Sequence, residues 1–213
     1  MKGYIMKKFM VFAIFALALS SFAADEIALP KPDLKSGKPL MQCISERRSS
    51  RSFSDKELPL QIVSEVLFVA DGITSPDGKK SVPTARNKQN QRVYAFRADG
   101  VYLYNNKKHS LVKVIDKDLR KVCGKQPFHA IAPLVLVYVS DITATGNTPE
   151  LQHLYSGNHS GHASQNVYLY AASQNLSTVI CGLLDRQLIS NTLNLPKTDK
   201  VIFSQPIGYP SFD

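Results

Sequence analysis

The stretch "APLVLVYVSD" (residues 132–141) decides how the chain folds. Residues 134–139 are valine, leucine or tyrosine without a break, so a strand built from them has no polar face. Such a strand belongs in the middle of a sheet, covered on both sides. Towards the N-terminus, "RVYAFRADGVYLYNN" (92–106) alternates apolar residues about Asp99-Gly100 and reads as a hairpin. "LVKVIDKDLRKVC" (111–123) reads as a short strand followed by a helix. Further back, "PLMQCISERR" (39–48) and "LPLQIVSEVLFVADG" (58–72) have helical spacing, with Ile62, Val66, Leu67 and Val69 on the apolar face of the second. Towards the C-terminus, "SGHASQNVYLYAASQNL" (160–176) predicts a helix capped by Ser160, with Ala163, Val167, Tyr170 and Ala171 on one side. Then come a strand in "STVICGLL" (177–184), a helix opening on Asp185 in "DRQLISNTLNL" (185–195) and a last strand in "KVIFSQPIGYP" (200–210). Helices lead, strands and helices follow, and nothing repeats. This order predicts an α+β fold with a mostly antiparallel central sheet flanked by helices.

The 213 residues suit one globular domain. The first 23 stand apart, with a short basic start, the apolar run "FMVFAIFALALSSFA" and small residues at Ser21 and Ala23. They read as a cleavable secretory signal, too short in its apolar part for a stable anchor, so the mature protein is expected to be exported, most simply to a periplasm. Residues 24–38 read as a Pro- and Lys-rich lead and 39–213 as the folded domain. Cleavage removes Lys2, Lys7 and Lys8, leaving 23 basic against 17 acidic residues and a net charge of +6 instead of +9. These charges are scattered without interleaved aromatics, which argues against a nucleic-acid surface. Cys43, Cys123 and Cys181 are too few and too far apart for a disulfide framework or a CxxC metal site.

Two stretches carry candidate chemistry. In "RRSSRSF" (47–53), Arg47, Arg48 and Arg51 with Ser49 between them offer guanidinium forks and a hydroxyl to a phosphate, while Phe53 anchors the turn. In "PTARNKQNQRVYAF" (83–96), Asn87 and Gln89 present amides that both donate and accept, as the edge of a heterocycle requires. His153, His159 and His162 lie close together, but no carboxylate or cysteine accompanies them, and no metal site is assigned. Tyr102, Tyr104, Tyr168 and Tyr170 recur at core-facing spacing and read as packing.

Taken in order, "RRSSRSF", "LPLQIVSEVLFVADGI", "VPTARNKQNQRVYAF", "GVYLYNNKKHSL", "APLVLVYVSD", "GHASQNVYLYAA" and "PIGYP" resemble the nitroreductase-like family of FMN-dependent oxidoreductases, especially its branch akin to the azoline-forming peptide dehydrogenases. The resemblance implies an intertwined homodimer with swapped extensions, FMN at the subunit interface, and hydride transfer from NAD(P)H through flavin to a small-molecule acceptor. It assigns Arg47, Arg48, Ser49 and Arg51 to FMN phosphate and ribityl oxygens. Pro83, Thr84, Ala85, Asn87 and Gln89 would line the flavin from the partner subunit. The backbone of Ile180, Cys181 and Gly182 would approach the flavin N5 edge, and Gln165 would face the ring system. No general base is named, because the cofactor carries the redox chemistry. Two departures stand out. No Lys or Arg follows Lys200, where the family often completes the phosphate site, and Asn175 and Ser177 replace glycines usual after the long helix. They keep open a second reading, a scaffold that binds flavin or another small molecule without turnover.

Overall fold

The computed structural model describes residues 25–211; the expected signal segment, residues 1–23, lies outside them. Seven strands form one sheet in the order β1-β4-β3-β2-β5-β7-β6, with every pair antiparallel. They are β1 (Glu26–Ala28), β2 (Gln91–Arg97), β3 (Gly100–Asn105), β4 (Ser110–Ile115), β5 (Leu134–Asp141), β6 (Ser177–Thr178) and β7 (Asp199–Gly208). Four α-helices complete the fold: α1 (Leu40–Glu46), α2 (Leu60–Asp71), α3 (Pro149–Ser173) and α4 (Arg186–Thr192). The α+β architecture expected from the order of elements is the one found.

β5 sits between β2 and β7, and its alternate residues enter two separate cores. Leu134, Leu136 and Tyr138 face α2 and α3, joining Val66, Leu67, Ala163 and Val167. Val135, Val137 and Val139 face the opposite side, joining Phe96, Val101, Ile189 and Val201. This is why the run has no polar position: a residue of either parity is buried.

Three local expectations need correction. α3 starts at Pro149, not near Ser160, with Thr148 as its N-cap accepting a hydrogen bond from Leu151 N. Its first half packs polar groups, Ser156, His159 and Ser160, instead of an apolar stripe, which hid it from periodicity. The helix expected near residue 120 is one 3-10 turn, Arg120–Cys123. The strand expected over 177–184 pairs only through Ser177–Thr178 and an isolated bridge from Cys181 to Ser204. In addition, the expected lead contributes β1, which pairs with β4 and extends the sheet. Asn175 has a left-handed φ of 55°, one that asparagine tolerates. All three cysteines are free and buried.

Candidate functional site

The arginine stretch begins where α1 ends. Arg47 is the C-cap of α1, and the Arg48 guanidinium donates to the carbonyls of Ser45 and Arg47, both at 2.8 Å, closing off the last turn. The chain then runs beside β6: Ser50 N donates to Thr178 O at 3.0 Å, and the Ser50 and Ser177 hydroxyls meet at 2.9 Å. Ser177 thus helps to hold the stretch. Phe53 is buried against Phe128, with ring centroids 5.7 Å apart, so the turn is anchored as its aromatic suggested.

Tyr168 of α3 is the hub of this group. Its hydroxyl meets Ser49 Oγ at 2.9 Å and accepts from Ile180 N at 2.9 Å, and the Arg47 guanidinium lies 5.3 Å from its ring centroid. Reading Tyr168 as packing missed this role. The available signal was the need of a buried tyrosine hydroxyl for polar partners. Arg51 lies near Cys181: its charge pulls the thiol down, but burial dominates and pushes it up to about 11. At neutral pH this thiol is protonated and not a nucleophile. Of the three amides expected to face a flavin, those of Ile180 and Cys181 are taken, the latter by Ser204 O at 2.8 Å. Gly182 N–H has no partner among the described residues, and a Cβ placed on Gly182 would meet nothing nearer than the Phe203 ring at 3.8 Å. None of Arg47, Arg48 and Arg51 pairs with a carboxylate among the described residues.

The second group lies elsewhere. The loop holding Pro83, Thr84, Ala85, Asn87 and Gln89 has left-handed backbone at Arg86, Asn87 and Gln89, with φ of 53°, 51° and 47°. Thr84 Oγ1 accepts from Gln89 N at 2.9 Å, closing the turn. Gln89 Nε2 donates to Gly78 O at 2.9 Å and Asn87 Oδ1 at 3.1 Å, leaving Asn87 Nδ2 and Gln89 Oε1 without partners among the described residues. The loop is fastened to α3 by His159, whose Nε2 accepts from Ala85 N at 2.8 Å and whose Nδ1 donates to Asn90 Oδ1 at 2.8 Å. Burial, then the nearby His162, lowers the pKa of His159, which favours the neutral ring that this pattern requires.

Sheet register measures the separation. Thr178, beside the arginine stretch, pairs with Ile207 and through it with Leu134; Gln91, next to the loop, pairs with Ser140. Leu134 and Ser140 are six steps apart on β5, roughly 20 Å. One chain therefore holds the two groups apart, with Gln165 exposed on α3 one turn before Tyr168. α1 and α3 each carry uncovered apolar side chains. Leu40, Met41 and Ile44 of α1 and Leu154 of α3 are 62%, 74%, 48% and 62% exposed, and open space lies above Gly157 and Gly161.

The comparisons with known proteins agree on one family. The sequence pattern of the nitroreductase family matches residues 44–209. A protein of Methanocaldococcus jannaschii that carries the nitroreductase name is 34% identical over 195 residues, covering 86% of this chain and 97% of that one. A crystal structure from Ralstonia eutropha, also given the nitroreductase name, superposes with a TM-score of 0.83 at 34% identity, over 88% of this chain and 90% of that one. A Desulfovibrio desulfuricans structure in complex with FMN shares the fold at a TM-score of 0.60 and 20% identity, over 83% and 89% of the two chains.

Proposed function

Since the chain belongs to the nitroreductase family, we propose that it is an exported FMN-dependent oxidoreductase acting as a homodimer. One observation carries the reading: Arg47, Arg48 and Arg51 have no carboxylate partner among the described residues, and Arg51 lies near Cys181, next to Gly182, whose N–H has no partner among them. A cationic cluster left uncompensated suits a dianionic phosphate, and an open amide suits a ring nitrogen or carbonyl. Bound there, FMN supplies the hydride chemistry between a reduced nicotinamide and an acceptor.

The residues of this chain hold and orient. Arg47 and Arg51 take the phosphate, while Arg48 adds charge from the end of α1. Ser49, oriented by Tyr168, reaches a ribityl oxygen. Gly182 N–H donates to the ring, and the absence of a side chain there leaves room for the ring. The second half-site, with Pro83, Thr84 and Ala85 as its wall and Asn87 and Gln89 as its polar edge, serves the flavin of a second copy. The 20 Å gap supports that division, as does the apolar face of α1 and α3 that a second copy would cover. Export rests on residues 1–23, and the motif series favours the branch akin to azoline-forming peptide dehydrogenases, in which a peptide is the group oxidised by the flavin.

Purified mature protein is expected to be yellow and to release FMN on denaturation. Arg51→Ala should weaken FMN binding by about 1.5–3 kcal/mol, the worth of a hydrogen bond to a charged group, read by fluorescence titration. Protein that stays colourless with excess FMN overturns the reading.

A second reading draws on the C-terminus. Residues 209–211 run beside the arginine stretch, Ser54 N donating to Tyr209 O at 2.9 Å and Ser52 Oγ to Ser211 O at 3.2 Å, yet residues 201–211 bring no cation to it. On this reading the chain binds flavin or another small molecule without turnover. Steady reduction of quinone or nitroaromatic acceptors by the holoprotein excludes it.

A further inference from the structure

The segment from Gly124 to Ala130, with a 3-10 turn over Pro127–Ala130, grips the stretch around Gly182 at three places. Lys125 N donates to Leu183 O at 3.3 Å, and Cys181 Sγ donates to Gln126 Oε1 at 3.9 Å. The third hold runs through His129, which is fully buried. Its Nδ1 donates to Gln126 O at 3.0 Å, so in the neutral ring Nε2 accepts from Ser204 Oγ, 3.2 Å away. Burial lowers the pKa of His129 and keeps the ring in that neutral form. Ser204 in turn holds Cys181 by both main-chain groups, accepting from Cys181 N at 2.8 Å and donating to Cys181 O at 3.1 Å. The next residue is Gly182.

The imidazole has little freedom of its own. It stacks on Phe128, with ring centroids 4.8 Å apart and planes 22° apart, and a Cβ on Gly124 would collide with it. Phe128 also meets Phe53, the anchor of the arginine stretch, at 5.7 Å. One side chain is therefore linked in two directions, to the open amide and to the turn that carries the arginines. We infer that His129 is a positioning residue for the flavin: through Ser204 and Cys181 it fixes the Gly182 N–H, and through Phe128 and Phe53 it ties that amide to the arginine stretch. This rests on the proposed function, in which the arginines take the phosphate and Gly182 N–H donates to the ring. An N–H held against the ring nitrogen N5 favours oxidised flavin, where that nitrogen accepts, over reduced flavin, where it carries a hydrogen.

Three variants of the FMN-loaded protein test the assignment. His129→Phe keeps a stacking ring but loses both hydrogen bonds, and His129→Gln restores an acceptor for Ser204. Ser204→Ala removes only the hydroxyl, and it decides the matter if His129→Phe does not fold. Fluorescence titration should show oxidised FMN bound about two- to tenfold more weakly by His129→Phe and Ser204→Ala, as loss of one neutral hydrogen bond implies. The midpoint potential of bound FMN should rise in both, and His129→Gln should stay close to wild type in both measurements. A residue that only supports the fold would lower the Tm and leave the potential where it was. A wild-type potential in folded His129→Phe or Ser204→Ala, or an equal shift in His129→Gln, overturns the inference and leaves the flavin reading standing. Wild-type protein that takes up no FMN overturns both.

Discussion

Tyr168 ties α3 to two other segments, the arginine stretch through Ser49 and Arg47 and the chain after β6 through Ile180. Removing its hydroxyl strands a backbone N–H that has no other partner. Tyr168→Phe should therefore cost about 1–3 kcal/mol of stability, seen as a Tm several degrees lower, and should weaken FMN binding because Ser49 loses its orientation. An unchanged Tm and flavin affinity would show that the hub is incidental. The arginine stretch was legible because charge and hydroxyl chemistry are written in single residues. Tyr168 was not, because an aromatic at core spacing looks the same whether its hydroxyl is idle or employed. His159 was hidden in a similar way: its importance lies in fastening Ala85, 74 residues away in sequence, and no local pattern records that bond.

Among the elements, β5 was plain and α3 was not, for opposite reasons. β5 is buried by apolar side chains on both faces, so composition alone announces it. The first half of α3 reads "PELQHLYSGNHS", in which small and polar residues pack and the apolar Leu151 and Leu154 are exposed. The signals that do mark its start are Thr148 as cap and Pro149 in the first turn. Thr148→Ala should cost about 1 kcal/mol of stability in a denaturant titration, the usual worth of a capping hydroxyl. No change would mean that packing alone sets the start of the helix. β1 escaped notice because three residues are too few to show alternation, and only its pairing with β4 reveals it.

For the whole molecule, the decisive feature is that the arginine stretch and the loop lie at opposite ends of β5. On the proposed function a single copy cannot enclose a flavin with both groups, so cofactor retention and assembly are expected to stand or fall together. Leu154→Glu places a charge on the uncovered face without touching either half-site. Light scattering at micromolar concentration should show the variant at half the mass of the wild type, with FMN lost in parallel. A variant that stays dimeric and yellow would put the contact elsewhere. Membership of the nitroreductase family could be read from the order of motifs, whereas the separation of the half-sites could be read only from strand register.

α3 touches both half-sites, the loop through His159 and the arginine stretch through Tyr168. Eight residues lie between these two anchors, and each added or lost residue would turn one anchor by about 100° against the other. The helix therefore acts as a phase lock. Exposed positions between the anchors, such as His162 and Gln165, can change freely, but a single insertion or deletion there would aim one anchor away from its target, so changes of length are expected only in the loops.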